Sequence, residues 1–260
     1  MLYDASTVLL AVTYPLLYTG PVTVIRYAVG DDKVVAQQVV RTIYVASLMF
    51  FSDFGPFPTK WAPLNHIVWL PSSAVDVLRY GVIPVVCLFV GSLYSNMTSA
   101  SSSKSILHGR TGGQVLRDIV FAPILEEFVF RAHLIRWLLV SRGVQSVPTL
   151  IFTSPAIFSL AHVHHFFMNV RRGIRASVAA RWCFVQSIYT YVFGIFAMIV
   201  LLKSRSVWVS IAAHATANSF GFPNFGPGLS RKVVVAHGLG LMIFLALSVS
   251  FYRALLIEYH

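Results

Sequence analysis

The sequence predicts an all-α fold: a polytopic transmembrane bundle of about eight helices with an intramembrane polar cavity. Hydrophobic residues make up 57% of the 260 residues and charged residues only 11%, with a mean hydropathy of +0.73. This composition lies far outside that of a soluble domain. Apolar runs recur along the chain, and three of them contain charged or hydrogen-bonding side chains at unexpected depth. The runs predict membrane helices, and the polar side chains predict a cavity among them.

About 20 apolar residues are needed for each membrane crossing, and this criterion yields eight spans. The predicted spans are residues 7–25, 34–52, 76–95, 115–140, 149–168, 182–202, 206–222 and 233–254. Eight spans leave no room for a separate soluble domain. We therefore expect residues 1–260 to form a single integral membrane domain, whose chemistry-bearing motifs lie within residues 115–225.

Two linkers differ in composition from the spans. Residues 52–73 are rich in Pro and aromatic residues, and Trp61 and Trp69 suit the headgroup region, so a re-entrant or interfacial loop is predicted. Residues 95–113 are rich in Ser and Gly and predict a flexible connector. This connector includes a glycosylation sequon at Asn96, which only a lumenal loop would use.

The net charge of +11 does not indicate a nucleic-acid partner. Single-strand binders interleave basic residues with stacking aromatics, and no stretch of this sequence does so. Positive loops beside anionic lipid explain the charge better. Cys87 and Cys183 lie far apart in apolar runs, which predicts neither a disulfide nor a zinc knuckle.

Residues 121–137 place three charged side chains in an apolar run: Glu126, Glu127 and Arg131. On a helix, Glu127 and Arg131 are four residues apart and can pair, while Glu126 is turned about 100° away. Pro123 lies one turn before Glu126 and is expected to kink the helix. One interpretation is a buried structural ion pair beside a partly solvated glutamate. The other is a functional Glu126, because charge at mid-membrane depth is costly and usually functional.

Two later spans add polar side chains. Phe158 comes one turn before His162 in the fifth span, and His214 and Asn218 are four apart in the seventh. Each set alone is compatible with a hydrogen-bonded core histidine or with interhelical hydrogen bonding. Together with Glu126 they supply a base and several donors, the inventory needed to hydrolyse an amide. We expect Glu126 to take a proton from water and His162 to hold the same water, while His214 and Asn218 stabilise the oxyanion.

The ordered segments EEFVFR, FSLAH and HATAN resemble the CAAX prenyl protease 2 family of intramembrane endopeptidases, and their flanks resemble its eukaryotic branch. The family pattern EExxxR, FxxxH and HxxxN is matched at Glu126, Glu127, Arg131, Phe158, His162, His214 and Asn218. The resemblance implies that Glu126 is the catalytic base and His162 its partner on the water. It implies that His214 and Asn218 stabilise the oxyanion, and that Glu127, Arg131 and Phe158 support the site.

The resemblance also implies residence in the endoplasmic reticulum and prenylated CAAX proteins, such as Ras-like small GTPases, as substrates. Members of the family have been classed as metalloproteases, and Glu126, His162 and His214 would be the zinc ligands. HExxH is absent, and we expect a metal-independent mechanism with no cofactor. The alternative function is a non-catalytic membrane scaffold or a proton-coupled transporter of the same fold.

The distribution of positive charge predicts the orientation. The loops after the odd-numbered spans, with their edges, hold eleven Lys and Arg residues, and the opposite side holds seven. The positive-inside rule makes the first set cytosolic and places both termini in the lumen. Glu126, His162, His214 and Asn218 are all displaced toward the more basic side within their spans. The predicted site therefore opens to the cytosol.

Overall fold

The structure, a computed structural model, describes residues 34–51, 73–98, 110–141, 143–144, 146–222 and 229–259. Every regular element in these residues is helical, which confirms the predicted all-α class. The helices are α1 (Val34–Phe51), α2 (Ala74–Leu88), α3 (Val90–Thr98), α4 (residues 112–141), α5 (Val147–Ala161), α6 (His164–Arg171), α7 (Ala176–Ser204), α8 (Val207–Phe220) and α9 (Arg231–Glu258). The predicted first span and most of the Pro-rich linker lie outside the described residues.

Three stretches of the described chain are long and apolar enough to cross a membrane: Val147–Arg171, Ala176–Ser204 and Arg231–Glu258. The α2–α3 pair, bent by 56°, makes a fourth if it counts as one span. Helix α8 has 14 residues, or about 21 Å of length, which is less than the hydrocarbon thickness of about 30 Å. Eight complete crossings therefore stay a prediction.

Two predicted boundaries need correction. The connector predicted at 95–113 is shorter, because α3 continues to Thr98, whose Oγ1 donates to the Tyr94 carbonyl at 2.8 Å, and α4 begins at Gly112. Asn96 therefore lies on the exposed last turn of α3. The predicted fifth span, 149–168, is longer, because the apolar helical stretch runs from Val147 to Arg171 with a two-residue turn between α5 and α6.

Capping residues fix where several helices begin. Thr111 and Gln114 form a capping box at the start of α4. The hydroxyls of Ser146, Ser206 and Ser230 accept backbone N–H groups at the starts of α5, α8 and α9. Each cap satisfies a donor that the first helical turn leaves without a backbone partner. Gly221 ends α8 with a positive φ of 69°, a conformation that glycine adopts without steric cost.

Helix α4 changes hydrogen-bonding register along its length. It contains π-helical turns at Arg117–Phe121, Phe128–His133 and Trp137–Ser141. The α-helical segment Ala122–Glu127, which carries Pro123, lies between the first two. Such π turns are uncommon and concentrate at functional sites.

The chain divides into two compact units. One comprises residues 1–58 and 128–198, and in its described part α1 and α5 pack against the π turn Phe128–His133. The other comprises residues 59–127 and 199–260. In that second unit, α8 packs against the π turn Val77–Val82 of α2 and against α4 up to Glu127, and α9 packs on the end of α2 and on α3.

Helix α8 lies very close to α2. A Cβ added to Gly81 would come within 2.9 Å of the Val209 carbonyl oxygen, a distance that real Cβ atoms do not show. Any side chain at position 81 would therefore push α8 away. Because α8 carries His214 and Asn218, this close approach sets the position of two candidate site residues.

Candidate active site

Glu127 is completely buried, and two side chains from α8 meet its carboxylate. The Ser210 hydroxyl donates to Oε2 at 2.6 Å, and the Nδ1 of His214 lies 2.9 Å from Oε1. Ser210 and His214 are one helical turn apart and share a face of α8, so one carboxylate can engage both. Glu127 therefore orients the His214 ring. The predicted ion pair of Glu127 with Arg131 joins residues of different units and stays a prediction.

Glu126 lies beside the other nitrogen of the same imidazole. Its Oε2 is 3.9 Å from His214 Nε2, which is longer than a direct hydrogen bond. The Glu126 side chain is 16% exposed, in contrast to the fully buried Glu127. The two neighbouring glutamates thus face opposite nitrogens of one histidine, and Glu126 is the one that a solvent molecule can reach.

Asn218 lies one turn beyond His214 on the same face of α8. Its Nδ2 donates to the backbone carbonyl of Asp118 at 2.8 Å. A carbonyl can only accept, so this contact fixes which end of the amide is the nitrogen. An amide nitrogen carries two N–H groups, and the second is available in this geometry for another acceptor.

His162 belongs to the other unit, at the C-cap of α5. Its Nδ1 is 3.0 Å from the Phe158 carbonyl oxygen, and its ring packs edge-on against the Phe158 ring with centroids 4.7 Å apart. Since a carbonyl has no proton to give, Nδ1 carries the hydrogen. In a neutral His162 the acceptor lone pair is therefore on Nε2.

Arg131 is fully buried in the same unit as His162. Its guanidinium carbon lies 4.5 Å from the centre of the Phe158 ring, within the range of a cation–π interaction. A Cβ added to Gly194 would meet Pro155 at 2.9 Å and Arg131 Nη2 at 3.4 Å, so the glycine makes room for both. Phe158 thus contacts both Arg131 and His162, and its supporting role stays a prediction.

The structure places the predicted residues in two groups. Glu126, Glu127, His214 and Asn218 belong to one unit, and Arg131, Phe158 and His162 to the other. Sequence reasoning missed two members of the first group: Ser210 and the Asp118 carbonyl. Ser210 was detectable, because it precedes His214 by four residues as His214 precedes Asn218. The carbonyl was not, because no side-chain pattern marks it.

The predicted ligands of a zinc ion are Glu126, His162 and His214. Two of these predicted ligands, Glu126 and His214, belong to the second unit, where Glu126 Oε2 lies 3.9 Å from His214 Nε2. A catalytic zinc takes three protein ligands. Among the described residues, no group of three or more His, Cys, Asp or Glu side chains is suited to hold a metal ion. The third predicted ligand, His162, belongs to the other unit, so metal independence stays a prediction and no catalytic step is assigned to a metal.

Comparison with known proteins identifies the relatives of this chain. A sequence model of the family described as Type II CAAX prenyl endopeptidase Rce1-like matches residues 111–220, which hold both α4 and α8. CAAX prenyl protease 2 of Arabidopsis thaliana is 32% identical over 92% of this chain and 82% of its own length. Probable CAAX prenyl protease 2 of Schizosaccharomyces pombe is 25% identical over 80% of this chain and 76% of its own. CAAX prenyl protease 2 of Saccharomyces cerevisiae is 31% identical over 66% of this chain and 58% of its own length.

No solved structure matches the chain. The family match, the extent of the Arabidopsis alignment and the apolar helices agree with the resemblance that the three motifs predicted. The chain belongs to the CAAX prenyl protease 2 family and is an integral membrane protease.

Proposed function

We propose that this protein hydrolyses the peptide bond after the prenylated cysteine of CAAX proteins and releases their last three residues. The names of its relatives support the substrate class. One observation carries the chemistry: the partly exposed Glu126 lies beside a histidine whose far nitrogen is bound to the buried Glu127. This arrangement provides a base next to a positioned proton donor.

Glu126 is the general base in the proposed mechanism. Its carboxylate takes a proton from water as the water oxygen bonds to the scissile carbonyl carbon. The carbonyl electrons move onto oxygen and form a tetrahedral oxyanion. When the intermediate collapses, the C–N bond breaks and the proton on Glu126 passes to the leaving amine. The products are a prenylcysteine carboxylate and a tripeptide, and Glu126 is regenerated.

His214 and Asn218 stabilise the oxyanion. With Nδ1 on the Glu127 carboxylate, a protonated His214 has its charge balanced and can donate through Nε2. Asn218 donates through the amide N–H that does not point at Asp118. Each donor of this kind is worth about 2.7–4 kcal/mol of transition-state stabilisation.

His162 holds the attacking water through Nε2, which is the acceptor when Nδ1 donates to the Phe158 carbonyl. This role follows the family resemblance and the tautomer that the carbonyl imposes. The supporting residues, which hold the catalytic side chains in position, are Glu127, Arg131 and Phe158. The mechanism needs no metal and no cofactor.

The test is release of the tripeptide from a farnesylated CAAX peptide by membranes that contain the protein, followed by mass spectrometry. Glu126→Gln keeps the size and most hydrogen bonding but removes basicity, so release should fall by about a hundredfold or more. Glu258→Gln is the matched control, because Glu258 pairs with Lys203 and Arg205 at the end of α9. Normal turnover by Glu126→Gln sinks the assignment, and no release by the wild type rejects the function.

We further propose residence in the endoplasmic reticulum membrane, with the site open to the cytosol, where lipid-anchored substrates are made. The charge bias of the loops supports this orientation. Asn96 should then remain unglycosylated although its side chain is exposed, and a reporter after His260 should report the lumen. A glycan on Asn96, or a cytosolic reporter, overturns the orientation.

A further inference from the structure

The Asp118 carbonyl lies within helix α4, yet it accepts a hydrogen bond from the Asn218 side chain of α8. Asp118 lies inside the π turn Arg117–Phe121, and within a helix its oxygen would accept a backbone N–H from α4 itself. A side chain from α8 takes that position instead, at 2.8 Å. The reason lies in the two backbone groups that follow the turn.

In an α-helical register the donor to Asp118 is the N–H of Ala122, four residues on. That N–H is bonded to the Arg117 carbonyl, in π register. In a π register the donor to Asp118 is the next residue, Pro123, which has no N–H. Neither backbone donor reaches the Asp118 carbonyl, so without Asn218 this part-buried oxygen would have neither of its helical donors.

We propose that Pro123 is a positioning residue for Asn218. Pro123 stands where the π-register donor would be and has no N–H, so the Asp118 carbonyl stays available to one N–H of the Asn218 amide. That bond holds the second N–H of the amide in a fixed direction. An amide bonded at one N–H cannot rotate about its terminal torsion without losing that bond. This inference rests on the oxyanion role proposed for Asn218, and it assigns to Pro123 a chemical task that its bending of the helix does not supply.

Replacing Pro123 with Ala tests the inference. The substitution restores an N–H that can bond the Asp118 carbonyl and compete with Asn218. We expect kcat to fall about tenfold with KM unchanged, because misplacement of a transition-state donor affects the chemical step. Thermal stability should not fall, since Ala is far more favourable than Pro inside a helix and this gain offsets the space that the smaller side chain leaves.

Pro84 provides a matched control. It follows the π turn Val77–Val82 in the same way, and the N–H of Ile83 bonds the Leu78 carbonyl in π register. Pro84 leaves the Arg79 carbonyl without a π-register donor, as Pro123 does for Asp118. In the described part of the chain, no hydrogen bond joins a candidate site residue to this Arg79 carbonyl. Pro84→Ala should therefore leave kcat within twofold of wild type.

The decisive measurement is a double-mutant cycle in single turnover with excess enzyme, where rates about a thousandfold lower remain measurable. In the Asn218→Ala background, Pro123→Ala should change the rate less than twofold, because the group it positions is gone. A tenfold loss in both backgrounds, or wild-type kcat for Pro123→Ala alone, overturns the inference. Wild-type kcat for Asn218→Ala refutes instead the oxyanion role on which it rests.

Discussion

The two candidate histidines are held in similar ways by chemically different groups. His214 is bound at Nδ1 by the carboxylate of Glu127, and His162 is bound at Nδ1 by the backbone carbonyl of Phe158. A carboxylate can balance the charge of an imidazolium, whereas a carbonyl only selects the neutral tautomer with its lone pair on Nε2. The difference suits His214 to donate a hydrogen bond and His162 to accept one. Two residues with the same side chain thereby acquire opposite tasks.

The largest effect is expected from changing the acceptor of His214. Glu127→Gln keeps the volume but removes the negative charge that balances a protonated His214, so the imidazolium that donates through Nε2 is no longer stabilised. We expect kcat to fall about a thousandfold or more, as happens when a histidine loses its orienting carboxylate. The measurement is single-turnover release of the tripeptide together with a thermal unfolding curve.

Ser210→Ala is the control for this change, because it removes a hydrogen bond to the same carboxylate but leaves the charge and the His214 contact. Its kcat should fall less than tenfold. A Glu127→Gln enzyme with the same kcat as Ser210→Ala would show that the carboxylate does not act through His214.

The next effect compares the histidines directly. Glutamine can place an N–H near the position of Nε2, which preserves donation, whereas its amide oxygen is a weaker hydrogen-bond acceptor than an imidazole nitrogen. His214→Gln should retain more activity than His162→Gln, with losses of about tenfold and about a hundredfold or more, respectively. Equal losses, or the reverse order, contradict the assignment of donor and acceptor.

Phe158 should show a smaller, mainly structural effect. Phe158→Leu removes the ring that lies over Arg131 and beside His162, and a desolvated cation–π contact is worth about 2 kcal/mol. The melting temperature should fall. Phe130→Leu is the matched control, since Phe130 is equally buried and packs edge-on against Phe158 at 5.2 Å. A greater fall in melting temperature for Phe130→Leu than for Phe158→Leu would show that stacking on Arg131 is not the cause of the fall.

The smallest effect is expected from metal removal. A zinc ion would bind both histidines through Nε2 and erase the difference between them. Exhaustive chelation should therefore leave kcat unchanged, with substoichiometric zinc in active enzyme by elemental analysis. Stoichiometric zinc, whose removal and return switch activity off and on, refutes the proposal.

Local spacing predicted much of this arrangement. The prediction of a polar face on α8 follows from residues four apart, and the prediction of an irregularity near Glu126 follows from Pro123. The predicted pairing of Glu127 with Arg131 did not reveal the contacts of Glu127 with α8, because Ser210 and His214 lie 83 and 87 residues later and no periodicity connects them to it. The changes of hydrogen-bonding register in α4 were not predicted either, because a π turn depends on which backbone N–H bonds to which carbonyl in the folded protein.

The separation of Glu127 from its α8 partners has a consequence for synthesis of the chain. The unit that contains them is discontinuous, with residues 128–198 translated between its halves. At about 5–20 residues per second, the ribosome needs roughly 4–17 s after Glu127 before His214 is made. During that interval a carboxylate in an apolar helix lacks two of its partners, a state that the membrane disfavours. A nascent chain stopped before α8 should therefore hold α4 in the membrane less stably than the complete chain does, because the Glu127 carboxylate then lacks Ser210 and His214.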